Sequence, residues 1–312
     1  MAKYIAIRLA QFPLILAAIY LITFLLAWVA PGDPFQNTDR KLQPEVLAQL
    51  KARFHAEDAW SFLTYYPVRL IVHRDFGPSM VYEEWPVGTI LGDALPVSAT
   101  IGLFALAVAS AGGVALGTLA GVRRGGAVDW ASLSVTLIGI SLPSFVIASV
   151  LFAGFSSRLR WFPIGHWGSF QDVVLPGLAL SLMPMAYIAR LTRVSMIDVL
   201  GSDYVRTGRA KGLSRNKVVW KHALRNALLP VLSYLGPAAA STLVGSFVVE
   251  KVFNIPGLGQ HFVQSVLNRD QTLILGTVMV YSTFLLILNL LVDIGYVLVD
   301  PRIDVTAQGG DK

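Results

Sequence analysis

The sequence has no cysteine among its 312 residues, which excludes disulfides, thiolate catalysis and iron–sulfur ligation. Its five histidines, His55, His73, His166, His222 and His261, are scattered without an HxxxH or HxH pattern, so no metal-ligand spacing is present. No GxxxxGK(S/T) stretch occurs; Gly125-Gly126 follows Arg123-Arg124 but lacks the lysine that reaches phosphates, so the chain is not read as a nucleotide hydrolase. Ser141 and Ser144 have no His or Asp at a motif-defined distance, and no catalytic residue is assigned. Charge is scarce as well. Charged residues make up 14% against 54% hydrophobic, with a mean hydropathy of +0.61, which does not describe a water-facing surface of this size.

What the chain has in quantity is uncharged sequence. The intervals Leu9–Gly32, Ala94–Val122, Trp130–Ser157, Val173–Ala189, Asn226–Val249 and Gln271–Val292 together hold 144 residues. A helix crossing a hydrocarbon core needs roughly 20 residues, with about 17 to 25 as the usual range. The pattern therefore predicts an all-α polytopic membrane protein with six transmembrane helices. A soluble protein with six buried helices would need amphipathic partners to cover them, and the sequence supplies few. The first run ends at Pro31-Gly32-Asp33-Pro34 rather than at a small-x-small cleavage site, and reads as a retained span.

With the amino terminus placed in the cytoplasm, the inner side collects 15 basic and 6 acidic residues and the outer side 10 basic and 12 acidic. This positive-inside bias sets both termini in the cytoplasm. The net charge of +6 thus has a topological role before any nucleic acid is invoked.

Residues 1–312 read as a single transmembrane domain carrying two distinctive segments. In the external region 35–95, Pro44–Phe54 predicts a short surface helix with proline in its first turn. The aromatic stretch Trp60–Val72 suits a helix lying at the membrane interface. A small cap packed on the spans and a contact with a delivery partner or substrate are both open readings of this region.

The longest cytoplasmic connection, Arg190–Arg225, contains the second segment, 198–225. Asp198–Lys211 is helix-compatible, Gly212 is placed as a helix stop, and Ser214 is positioned to cap a second helix from Arg215 through its side-chain oxygen. Val199, Leu200, Tyr204 and Val205 supply one apolar side, and Val218, Val219 and Leu224 the other. With nine basic residues the connection has the outline of a helix-turn-helix. However, its second helix merges into the fifth span within a turn or two and cannot enter a major groove, so no nucleic acid is expected. Lipid head groups and a soluble protein partner remain as what the charge meets.

Asp203-Tyr204-Val205-Arg206-Thr207-Gly208-Arg209-Ala210-Lys211-Gly212-Leu213-Ser214, followed by His222-Ala223-Leu224-Arg225-Asn226-Ala227-Leu228-Leu229-Pro230, resembles the cytoplasmic coupling motif of bacterial ABC importer permeases of the dipeptide/oligopeptide/nickel class. Further marks run in the same order along the chain: Thr23-Phe24-Leu25-Leu26 leading to Ala30-Pro31-Gly32-Asp33-Pro34, Ser141-Leu142-Pro143-Ser144-Phe145, Val249-Glu250-Lys251-Val252-Phe253 with Ile255-Pro256-Gly257-Leu258-Gly259, and Val299-Asp300-Pro301-Arg302-Ile303.

The resemblance implies the type I ABC importer permease architecture, with a cytoplasmic coupling helix pair, in the bacterial cytoplasmic (inner) membrane. It implies half of a translocation pathway for di- or oligopeptides or a similar small polar solute, with nickel or another non-peptide solute as the alternative. The partners implied are a second, related permease subunit forming a heterodimer, two cytoplasmic ATPase subunits, an extracytoplasmic solute-binding protein and membrane lipid. No cofactor is bound by this chain; ATP and magnesium are used by the ATPase subunits. Asp203, Tyr204, Arg206, Thr207, Gly208, Ala210, Lys211, Gly212, Leu213 and Ser214 would then form the coupling contact, with Gly212 between two short helices docked in an ATPase cleft. Gly208 departs from the alanine expected in this class, and a glycine inside a helix costs about 0.5–1 kcal/mol relative to alanine.

In the spans, Gly112, Gly113, Gly117 and Gly121 have spacings that let helices approach closely, and Pro143, Pro176, Pro184 and Pro237 are placed to kink or break helices. Pro143, Glu250, Pro256, Gly257 and Asp293 are candidate gate or helix-clamp residues. Asp293 sits in a long apolar stretch and calls for a polar partner, with Arg190 or Arg193 as suppliers; a clamp, a gate element and a proton-coupling group are the three readings. Glu250 meets either a solute amine or Lys251 or Arg269 across the turn at residues 253–259, which itself is read as re-entering the membrane edge. A secondary transporter would show repeats with broken helices and several buried ionisable groups, and these are missing.

Overall fold

The computed structural model describes residues 2–35, 43–82 and 85–299. The described residues form helices in the order α1 (Ala2–Val29), α2 (Pro44–Arg53), α3 (Ala59–Val72), α4 (Val87–Val122), α5 (Ala127–Ser141), α6 (Ser144–Leu151), α7 (Phe170–Leu200), α8 (Asp203–Ala210), α9 (Arg215–Lys217), α10 (Leu224–Ala227), α11 (Leu229–Phe253), α12 (Leu258–Asn268) and α13 (Gln271–Val299). Wider π-type turns at Phe152–Arg158 and Val218–Ala223 extend α6 and join α9 to α10. An isolated antiparallel bridge pairs Pro78 with Pro86. The motif from Val299 to Ile303 lies outside the described residues from Asp300 onward, as do 36–42 and Glu83-Glu84 of the 35–95 region.

Among the described residues four helices are long and apolar enough to cross a membrane: α1 over Ile5–Val29, α4, α7, and α13 over Gln271–Gly295. The count reaches six only when two bent pairs are each taken as one span. The first is Ala127–Ser141 with Ser144–Arg158, turned by 102°, and the second is Leu229–Leu243 with Gly245–Phe253, turned by 41°. The interval Trp130–Ser157, read from sequence as one span, is thus divided at Leu142-Pro143. Pro143 has no amide hydrogen to continue α5, and its carbonyl instead accepts from Val146 and Ile147 to start α6. Pro176 and Pro184 leave α7 continuous, as Pro237 does α11.

The chain divides into two compact units. One contains Ala99–Ile255 with the described parts of 1–5 and 287–312. Its central element is α7, whose apolar window is 67% buried. The glycine row of α4 is what admits α7: a Cβ on Gly113 would stand 2.7 Å from Ile188 Cβ, on Gly117 2.4 Å from the Ala189 carbonyl, and on Gly121 2.7 Å from Met196 Cβ. On α5, a Cβ at Gly139 would stand 2.9 Å from the Leu182 carbonyl.

The other unit contains Ala6–Ser98 and Pro256–Leu286. Here α1 and α3 share an aromatic seam of Tyr20, Phe24, Trp28, Phe62 and Tyr66, with ring centroids 5.6–6.3 Å apart. Both helices read from sequence within 35–95 are present, α2 beginning at Pro44 and α3 capped by Asp58, whose carboxylate accepts from the Ser61 amide at 2.8 Å. The Pro31–Pro34 turn holds α2 through Asp33, which accepts from the Phe35 amide at 3.0 Å and pairs with Lys51 Nζ at 2.9 Å. At the start of α13 the buried Asp270 accepts from Ser79 Oγ, the Met80 amide, Thr272 Oγ1 and the Leu273 amide, tying the 77–82 loop to that helix end.

Candidate functional site

The segment 198–225 differs from its sequence reading at three points. First, α7 stops at Leu200 and Gly201-Ser202 separates it from α8, so Asp198–Lys211 is not one helix. Ser202 is why: its Oγ donates back to the Val199 carbonyl at 2.6 Å, a local bond that competes with helix propagation. Second, Ser214 stands at the N-cap position of α9, but its side chain makes no capping bond. Third, the helix from Arg215 loses α geometry after one turn and continues as the π-type turn Val218–Ala223.

Gly212 behaves as the sequence predicts. Its φ of +80° lies in the left-handed region that favours glycine. Its amide donates to the Arg209 carbonyl at 2.9 Å, and the Leu213 amide to the Gly208 carbonyl at 3.2 Å. These two bonds form a Schellman closure of α8. Leu213 folds back over position 208, where a Cβ in place of the glycine hydrogen would stand 3.3 Å from Leu213 Cδ1.

The two halves of the segment are anchored from beneath. Val205, Val218, Val219, Ala223 and Ala227 are buried, and the last three form a cluster with Met196 of α7, flanked by Val122, Val199, Leu200 and Leu224. Asn226 Nδ2 donates to Tyr204 Oη at 2.9 Å, and Arg215 reaches the Val122 carbonyl at the end of α4. Asp203 begins α8, pairs loosely with Arg206 at 3.6 Å, and accepts from Thr207 Oγ1 through its backbone carbonyl at 2.9 Å. Arg206, Thr207, Arg209, Ala210, Lys211, Arg215, Lys217, Lys221 and Arg225 are exposed. An exposed basic surface on a rigidly seated base is the result.

Trp220 was not singled out by sequence reasoning. It is exposed while its neighbour Val219 is buried, so an aromatic ring stands among cations on the open face, with Tyr204 also exposed. The signal lay in its register, just after the buried positions 218 and 219 and three residues before the buried position 223. Exposed Trp, Tyr and Arg together have the composition of protein-binding hot spots.

The candidate gate residues lie on different elements. Pro143 is at the α5–α6 break, Asp293 is partly buried in α13, and Glu250 is fully buried near the end of α11. Asn254 ends α11 in the left-handed region, and the Ile255 amide donates to the Glu250 carbonyl at 2.9 Å. Pro256 is exposed, and Gly257 is the N-cap of α12, whose Leu258 amide donates to Ser98 Oγ at 2.8 Å. Arg193, proposed from sequence as a partner of Asp293, is instead engaged with Asp129 in a two-bond fork. Asp129 was missed because it stands at the start of a span, where it reads as an ordinary flanking charge. Among the described residues no group of three or more His, Asp or Glu side chains is placed to hold a metal ion.

Long apolar helices, a glycine-lined helix contact and an exposed basic helical segment define a multi-pass membrane protein. The chain belongs to the family described as binding-protein-dependent transport system inner membrane component, whose model matches residues 113–305. It is therefore a permease subunit of an ABC importer and not the ATPase. The chain is 43% identical over 309 residues to the dipeptide transport system permease protein of Bacillus subtilis strain 168, covering 99% of this chain and 100% of that one. It is 39% identical over 305 residues to the oligopeptide transport system permease protein of Salmonella typhimurium, covering 97% and 99%. A solved amino acid ABC transporter described as with histidines matches with a TM-score of 0.50 at 16% identity, over 67% of this chain and 93% of that chain, a likeness of fold alone.

Proposed function

We propose that this chain is one of two related permeases in an importer for di- or oligopeptides, and that its 198–225 segment receives the push of the ATPase. The peptide reading is supported by the full-length similarity to permeases named for dipeptide and oligopeptide transport. Six spans are counted, each bent pair as one, as a single transmembrane domain with both termini in the cytoplasm of a bacterial inner membrane. A companion permease, two ATPase subunits using ATP and magnesium, and an extracytoplasmic binding protein complete the system.

The observation that carries the coupling role is the glycine-closed α8 beside exposed Tyr204, Trp220 and arginines, seated on Met196 at the end of α7. A force applied to this surface passes into α7 through packed side chains, and α7 contacts α4 and α5 along glycine faces that tolerate little separation. Pro143, Glu250, Pro256, Gly257 and Asp293 retain their proposed roles as gate or clamp elements responding to that motion.

The test is co-purification of the chain with its companion permease and ATPase subunits, comparing the unaltered protein with Gly212→Asp and Trp220→Ala, followed by vanadate-sensitive ATPase activity. Loss of association in variants that still insert and remain stable supports the reading. Full association and activity in both overturns it. The solute is tested separately in proteoliposomes with labelled dipeptide, labelled oligopeptide and nickel; uptake of nickel alone overturns the peptide assignment.

A further inference from the structure

We propose that α3 is a membrane-embedded half-helix whose open face, Trp60, Thr64, Val68, Ile71 and Val72, is covered by lipid acyl chains. The inference rests on the multi-pass membrane placement of α1 and not on the identity of the solute. With 14 residues at 1.5 Å each, α3 is about 21 Å long and cannot span a bilayer. It has one buried face, where Phe62 and Tyr66 stack on Tyr20, Phe24 and Trp28 of α1. The contact reaches Tyr20, the middle of the uncharged run Leu9–Gly32, so α3 does not merely rest on the end of that span.

The backbone gives the second argument. Pro67 lies inside α3 and has no amide hydrogen to give to the carbonyl four residues earlier, that of Leu63. In water such a carbonyl is served by solvent; in hydrocarbon it needs a protein donor. Tyr20 Oη supplies one, donating to the Leu63 carbonyl at 3.0 Å.

The third argument is the open face itself. Its members are spaced four, four, three and one apart and form a single stripe without charge, with Trp60, Ile71 and Val72 72%, 75% and 67% exposed. Thr64 is the one polar member, and its hydroxyl is turned into the helix toward the Trp60 and Ser61 carbonyls at 2.9 and 3.2 Å. Arg69 is held off the stripe by Asp75 and Tyr65, while His73 and Arg74 follow the helix end, where long polar side chains meet head groups. Leu21, Ile22, Leu25, Leu26 and Val29 of α1 flank the same aromatic seam and are equally exposed, so the lipid-facing surface of the span continues onto α3.

The absence of cysteine makes the test direct. Single variants Thr64→Cys, Val68→Cys and Ile71→Cys, each carrying a nitroxide, are examined in the assembled transporter in lipid nanodiscs, with Arg124→Cys, exposed in the α4–α5 connection, as a water-exposed reference. Lipid coverage gives oxygen accessibility several-fold above that of a water-soluble nickel chelate at all three α3 sites, the reverse ratio at Arg124, and no change on adding the solute-binding protein. Nickel-chelate accessibility equal to that of Arg124 overturns the proposal, as does protection that appears only with the binding protein. Thr64→Cys, which replaces a small exposed side chain, keeps the test readable if either apolar variant fails to assemble.

Discussion

Arg193 presents its guanidinium side-on to Asp129, with Nε 2.5 Å from Oδ1 and Nη2 2.9 Å from Oδ2, and so locks the first turn of α5 to the last third of α7. Asp129 is 4% exposed and Arg193 20%, and the Gly125 amide adds a further donor to Oδ2 at 2.9 Å. Removing one partner of a buried pair leaves the other uncompensated, at about 3–5 kcal/mol. Arg193→Ala and Asp129→Ala are each expected to lower the unfolding midpoint of the assembled transporter strongly. The double variant should lose far less than the sum, which a double-mutant cycle read by thermal unfolding checks.

The α4–α7 contact predicts a sharp contrast between glycines. Gly117→Ala drives a methyl to 2.4 Å from the Ala189 carbonyl, a backbone atom that cannot move alone. A destabilisation of about 1–3 kcal/mol or more is expected from such overpacking. Gly92→Ala, in the same helix with nothing within 4 Å, is expected to gain about 0.5–1 kcal/mol. Parallel melting curves separate the two outcomes.

In α8 two glycines should respond with opposite sign. Gly208→Ala adds a methyl 3.3 Å from the tip of Leu213, close to contact distance, and recovers helix propensity of about 0.5–1 kcal/mol. Gly212→Ala meets no atom within 4 Å, yet forces a side chain into φ +80° at about 1–2 kcal/mol. Hydrogen exchange of the Leu213 amide, which closes α8, is expected to slow in the first and quicken in the second.

Asp75 provides a pH signature outside the spans. The Arg69 guanidinium, followed by the Gly77 amide, holds its carboxyl below the usual carboxylate range. Because the folded value lies below the unfolded one, the contribution to stability is complete above an unfolded value of about 3.9 and is lost as pH falls through the folded value. Protection of the Gly77 amide should fall over that acid range in the unaltered chain. In Asp75→Asn it should already be low at neutral pH and independent of acidification.

The sequence alone determined the class of solvent, the positions of the apolar segments, the two short helices within 35–95 and the glycine stop at Gly212. Each follows from a local rule. Hydrocarbon excludes charge over about 20 residues, proline suits a first helical turn, and a left-handed position favours glycine. Only the tertiary structure decided which charges meet and where helices break. Arg193 chose Asp129, 64 positions away, over Asp293, because the packing of α5 on α7 brings the fork and the carboxylate together. Ser214 kept its place at a helix start without making its bond, and Gly201-Ser202 broke a helix whose composition permitted it to continue. Trp220 took the open face because Val218, Val219 and Ala223 took the buried one against Met196. Such choices rest on contacts between residues far apart in sequence, where the energy of one arrangement over another is set by burial and by the partner each polar group finds.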